Sequence, residues 1–142
     1  MKIAIINGPN LNLVGHREPE IYGSETFDSF IASLHLEFPS VEFIYLQSNV
    51  EGELMNFLHE LNGQSDIKGI LINAGGYTHT SIALADAVAG INIPVIEVHM
   101  SNIFSREDFR HVSYIGRSAI GSISGFGMDS YRLGVKKFLE LK

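Results

Sequence analysis

The chain contains no cysteine. That absence excludes disulfides and thiolate nucleophiles, and it is compatible with a cytoplasmic protein. Positive charge is also scarce: 10 Lys and Arg stand against 16 Asp and Glu, for a formal net charge of −6. With no basic cluster, nucleic acid is not an expected partner. No apolar run approaches the roughly 20 residues of a membrane-spanning helix, so no membrane partner is expected either. The first strand begins within two residues, with neither a basic leader nor an apolar signal segment. Nucleotide signatures are missing too. No Gly-x-Gly-x-x-Gly follows a strand, and no P-loop lysine motif occurs. The Gly-x-Ser-x-Gly elbow of serine hydrolases is absent.

What is present is a single-domain length of 142 residues, 45% hydrophobic and 18% charged, typical of a globular protein with a substantial core. Short apolar runs alternate with helical periodicities from end to end. Strands are expected at 2–7, 41–47, 69–73, 94–99 and 119–124. Phe27, Phe30, Ile31, Leu34 and Phe38 are spaced three and four apart, which places one apolar stripe on a helix. Leu54, Phe57, Leu58 and Leu61 mark a second helix, and the alanine-rich stretch 80–90 a third. Ser105 to Asp108 fits a capping box that would start a short fourth helix. Tyr131, Val135, Phe138 and Leu139 mark a fifth. This alternation predicts an α/β fold: a parallel five-stranded sheet covered on both faces, in the flavodoxin-like order 2-1-3-4-5. Ligands of such sheets bind beyond the carboxyl ends of the strands, near the topological switch point.

The polar residues collect at that edge. After strand 1 comes a segment too long for a plain connector, from Asn7 to Gly23, with two prolines and glycines near both ends. It reads as a shaped loop (about 8–24), not a helix, anchored by Leu11, Leu13, Val14 and Ile21. It carries Asn10, Asn12, Arg17 and Tyr22. A guanidinium near a phenol favours the phenolate and so makes tyrosine a usable base. The same residues also suit an ordinary surface loop. After strand 3, Asn73-Ala-Gly-Gly-Tyr-Thr-His-Thr-Ser81 offers backbone that a ligand can approach, with Thr78, Thr80 or Ser81 to cap the next helix. His79 stands at its entry, and Asp86 lies two helical turns further on. After strand 4, Glu97 and His99 face the same way, because side chains alternate along a strand. A carboxylate beside an imidazole fixes its tautomer and makes it a better proton donor. Ser101 and Asn102 then start a turn with exposed amides, a possible carboxylate cradle. Arg110 and Arg106, one turn apart, are equally able to reach this edge. His16, His35, His59 and His111 look peripheral.

No lysine lies after strands 1, 3 or 4, which argues against imine chemistry. His79, His99 and Asp86 suggest a metal-dependent hydrolase as one alternative. No tight pair such as His-x-x-x-His supports it, so no metal is expected. A non-catalytic binding or signalling domain is the other alternative.

Taken together, these segments resemble the type II 3-dehydroquinate dehydratases, flavodoxin-like enzymes of the shikimate pathway. The carriers are Ile6-Asn-Gly-Pro-Asn-Leu-Asn12, Arg17-Glu-Pro-Glu-Ile-Tyr-Gly23, Gln47-Ser-Asn49 with Glu51-Gly52, the segments 73–81 and 97–102, and Arg106-Glu-Asp-Phe-Arg-His111. The resemblance spans essentially the whole chain. It implies anti elimination of water from 3-dehydroquinate through an enolate, without metal, imine or other cofactor. Tyr22 is implied as general base, Arg17 as the residue keeping it ionised, and Asn10 as holder of the water that stabilises the enolate. His99 is implied as general acid, with Glu97 behind it. Asn73, His79, Arg110 and the backbone of Met100 and Ser101 are implied as substrate binders. Met100 replaces a branched aliphatic residue common there. Asp86 is implied to enter from a neighbouring subunit of a homo-dodecamer, a tetramer of trimers.

Overall fold

Five parallel strands in the order β2-β1-β3-β4-β5 form the central sheet. They are β1 (Lys2–Asn7), β2 (Glu42–Gln47), β3 (Ile67–Asn73), β4 (Val95–His99) and β5 (Gly121–Ser124). This computed structural model describes residues 1–17 and 19–142; the side chains of Ile21 and Tyr22 lie outside that description. The sheet order is the expected one. Boundaries move by one or two residues, with β3 starting earlier and β2, β4 and β5 later than apolarity suggested.

Both faces of the sheet are covered, which is why the inner strands are apolar runs and do not alternate. Successive side chains point to opposite faces. Ile3 and Ile5 of β1 join one core with α2 (Phe27–Glu37) and α5 (Asp129–Glu140), through Phe30, Leu34, Tyr131 and Phe138. Ala4 and Ile6 join the other with α3 (Glu51–Asn62) and α4 (Ile82–Ala89), through Leu54, Leu58 and Leu84. Caps begin two of these helices. The Thr26 hydroxyl accepts from the Ser29 N–H at 3.2 Å, and the Ser81 hydroxyl accepts from Leu84 at 2.9 Å. Ser81, of the three candidates, therefore starts α4, and it does so two residues later than expected.

Two expectations need correction. The segment 8–24 is not loop throughout: it holds a 3-10 turn at Leu11–Leu13 and a short helix, α1 (Pro19–Tyr22). Proline occupies the first helical position, where its missing N–H costs nothing. The capping box at Ser105 also does not form. The Ser105 hydroxyl donates to the Asn102 carbonyl at 2.8 Å, and Asn102 caps a 3-10 turn at Ile103–Ser105. A second such turn, Asp108–His111, follows without a side-chain cap.

Because all strands are parallel, their carboxyl ends share one edge, where Asn7, Asn73 and His99 stand together. Gly8 is needed there. A Cβ would sit 2.6 Å from the Ala74 carbonyl oxygen, so only glycine lets the exit of β1 lie against the exit of β3.

Candidate active site

A cleft of about 450 Å³ opens at this edge, a size suited to a small ligand. The exit of β1 supplies Asn10 and Arg17, and the exit of β3 supplies Asn73 and His79. The exit of β4 supplies His99, Met100 and Ser101, and the turns beyond it add Arg106 and Arg110. Sequence segments separated by more than ninety positions thus line one cavity.

Glu97 and His99 form the most deeply set pair, 2% and 5% exposed. His99 Nε2 donates to Glu97 Oε1 at 2.9 Å. Two hydroxyls complete the carboxylate: Ser113 donates to Oε1 at 2.6 Å and Ser122 to Oε2 at 2.7 Å. Burial alone would push the Glu97 carboxyl up; the donors from His99, Ser113 and Ser122 outweigh it and hold the group below the usual carboxylate range. An ionised carboxylate only accepts, so the proton between the two residues belongs to Nε2 of the ring. Nδ1 is then the nitrogen left to exchange a proton with a ligand.

His79 stacks on His99, with ring centroids 6.1 Å apart and planes 20° from parallel. Its Nδ1 lies 2.7 Å from the Val112 carbonyl oxygen, which can only accept, so Nδ1 carries a proton. Burial drives the His79 pKa down, and the charges of His99 and Arg110 act the same way against the Val112 carbonyl and Glu97. The neutral ring presents Nε2 as an acceptor.

Three guanidiniums, Arg17, Arg106 and Arg110, give the cleft its positive charge. Arg110 Nε pairs with Glu107 at 2.7 Å, Arg106 Nε lies 3.7 Å from the same carboxylate, and Arg106 Nη1 donates to the Ser101 hydroxyl at 3.3 Å. With equal claims from sequence, both arginines reach the site. Such a cleft favours an anionic ligand.

Asn10 is the non-glycine residue with positive φ among those described, at 69°. Asparagine tolerates this region better than most side chains. Its N–H donates to Asn49 Oδ1 at 3.0 Å, an atom that also accepts from Gln47 Nε2 at 3.2 Å. Tyr77 closes the latch by donating to the Asn49 carbonyl at 2.8 Å. Asn73 is fixed from behind: its Nδ2 donates to the Tyr131 hydroxyl at 3.0 Å, and its Oδ1 accepts from the Gly75 N–H at 3.2 Å. Tyr131 in turn donates to Asn7 Oδ1 at 2.7 Å. Burial keeps that phenol far from ionisation.

Asp86 is exposed on α4 and does not line the cleft of its own chain. Nor do His79, His99 and Asp86 assemble as a metal centre; among the described residues no group of three His, Asp or Glu is placed to hold one. Asn12 is exposed and outside the cleft, and His16, His35, His59 and His111 are likewise exposed. The expectation for Tyr22 concerns a side chain outside the described residues. No helix among the described residues is long and apolar enough to cross a membrane.

Ser113 and Ser122 were not legible as site residues. Ser122 had a faint signal, since strand pairing sets it directly opposite Glu97. Ser113 had none.

Comparison with known proteins bears on the family and the fold. A family model described as "Dehydroquinase class II" matches residues 1–139. A 3-dehydroquinate dehydratase of Trichodesmium erythraeum is 55% identical over 140 residues, spanning 97% of this chain and 92% of the relative. One from Chlorobaculum tepidum is 47% identical over 137 residues, spanning 96% and 93%. The crystal structure of a type II dehydroquinase from Butyrivibrio crossotus superposes with a TM-score of 0.92 at 39% identity, covering 99% of this chain and 98% of that one.

Proposed function

The chain belongs to the class II dehydroquinase family, and from that membership we propose that it is a 3-dehydroquinate dehydratase, a hydro-lyase of the shikimate pathway. Its reaction is the anti elimination of water from 3-dehydroquinate, giving 3-dehydroshikimate through an enolate. The observation that carries the reading is the buried Glu97–His99 pair facing a cleft lined by three arginines.

Tyr22, as phenolate, removes the proton on the carbon next to the ketone. Arg17, five residues earlier on the same segment, lowers the phenol's pKa. The electron pair becomes the enolate, which Asn10 stabilises through a water it positions. As the enolate collapses, the carbon–oxygen bond to the leaving hydroxyl breaks and the new double bond forms. His99, charged with Glu97 behind it, gives that oxygen its proton from Nδ1, and water departs. Asn73, His79, Arg110 and the backbone of Met100 and Ser101 hold the substrate's hydroxyls and carboxylate. Closure of segment 8–24 brings Arg17 and Tyr22 over the ligand and excludes water. No metal or organic cofactor takes part.

The chain acts as one catalytic domain over residues 1–142, in the cytoplasm. Asp86, exposed on α4 and remote from its own cleft, serves the site of a neighbouring subunit in a dodecamer built as a tetramer of trimers.

Adding 3-dehydroquinate to the purified protein should raise the ultraviolet absorbance of the conjugated enone product. Absence of that signal from folded protein would overturn the assignment.

A further inference from the structure

Glu97 is buried more completely than any other carboxylate described, yet it is paired with a ring that must change protonation state during turnover. Two features around it exceed what burial requires. The Ser113 hydroxyl accepts from the Gly116 N–H at 2.9 Å, so its single proton is turned toward Glu97. Gly116 itself leaves the needed space: a Cβ there would lie 2.6 Å from Glu97 Oε2 and 3.1 Å from Ser113 Oγ. On the other side, the parallel register of β4 and β5 sets Ser122 opposite Glu97, with its hydroxyl on the second oxygen. Every donor on Glu97 comes from a different element, and three donors meet two oxygens.

We propose that Ser113 and Ser122 are positioning residues of the reaction, acting through Glu97 to keep the acidic proton on His99. Neither lines the cleft. The inference rests on the assignment of His99 as general acid. A buried carboxylate next to an imidazole has two stable arrangements: carboxylate with imidazolium, or carboxylic acid with neutral imidazole. Burial favours the second, since it removes both charges. Hydroxyl donors favour the first, because they stabilise only the anion. Both keep a proton on Nδ1, but only in the first is it the acidic proton of an imidazolium, able to pass to the leaving hydroxyl; a neutral imidazole N–H is far too weak an acid. The titratable groups acting on Glu97 are His99 on its own strand and His79 from the turn after β3. The neighbouring strands present Ile72 and Ser122, and the turn Ile115–Arg117 presents Gly116. Arg117 is directed to the Tyr114 ring, 5.8 Å away. The two serines are therefore the neutral groups that decide the matter.

The test combines Ser122→Ala, Ser113→Ala, the double variant and Ser122→Thr. Carbon-13 NMR of labelled glutamate in the unliganded enzyme follows the Glu97 carboxyl through a pH titration. Its midpoint should rise by about one unit or more in the double variant. Turnover should fall by roughly tenfold to a hundredfold in kcat, with KM within about twofold of wild type, since each lost bond is to a charged group. Ser122→Thr, which keeps the hydroxyl, should restore both readouts at that position. Ser122 is an exposed strand residue, so its single variant serves should the double variant not fold. An unmoved Glu97 midpoint, or a loss carried by KM alone, would overturn the proposal. Wild-type protein that failed to turn over 3-dehydroquinate would instead sink the functional assignment, while the titration would still report on the serines.

Discussion

His79 and His99 stack on one another, but their second nitrogens meet different partners. One faces a backbone carbonyl and the other a carboxylate. A carbonyl cannot balance a positive ring, whereas a carboxylate can. The pair therefore sets a neutral acceptor beside a carboxylate-bound donor, the division that the proposed roles of binding one hydroxyl and protonating another would use. Replacing His99 with Gln keeps the volume and one bond to Glu97 while removing the transferable proton. The expected result is a loss of about 10² to 10⁴ in kcat with little change in KM, measured by steady-state kinetics. Equal losses in KM would instead mark His99 as a binding group. Arg106 belongs at this scale as well. Sequence could not separate it from Arg110, because residues one turn apart share a face; only the shared Glu107 and the bond to Ser101 show that both enter the cleft.

At the scale of elements, the site is assembled from strand exits, and their placement was readable because parallel strands end on one edge. The order β2-β1-β3-β4-β5, the alternation that aims Glu97 and His99 the same way, and the glycines after β3 all leave marks in a linear pattern. Bonds between elements leave none. Asn49 follows β2, and its link to the Asn10 N–H spans 39 positions. The segment carrying Asn49 was part of the family resemblance, but its mechanical purpose was not visible. Likewise α1 was hidden, since a single turn is too short to show periodicity. The latch predicts that Asn49→Ala releases the left-handed backbone at Asn10. We expect kcat to fall about tenfold or more through misplacement of Asn10. Circular dichroism should find the fold intact, because the two exposed bonds lost are worth only about 1 kcal/mol each.

For the whole molecule, the two shifted groups of the site, His79 and Glu97, tie stability to acid. The folded-state pKa of His79 lies below its ordinary value of 6.5, and that of Glu97 below its ordinary 4.5. In both cases the unfolded chain binds more protons, so stability rises with pH. The His79 contribution is complete above pH 6.5 and is lost as pH falls through its folded value. That of Glu97 is complete above 4.5 and is lost below it. Thermal unfolding should therefore move to lower temperature between pH 7.5 and 5, and His79→Gln should flatten that slope. A slope unchanged by the substitution would place the acid sensitivity elsewhere. Light scattering addresses assembly: a mass of twelve chains is expected, and a monomer with full activity would remove Asp86 from the site. One feature of the interior bears on how the enzyme comes into being. The hydroxyl of Tyr131 joins Asn7 and Asn73 across 124 positions of chain. A growing polypeptide made as far as residue 128 already holds every described residue that lines the cleft. It still lacks Tyr131, whose hydroxyl links the side chains of Asn7 and Asn73. Synthesis from the amino terminus therefore supplies the lining of the cleft before the phenol on α5 that ties its two asparagines together.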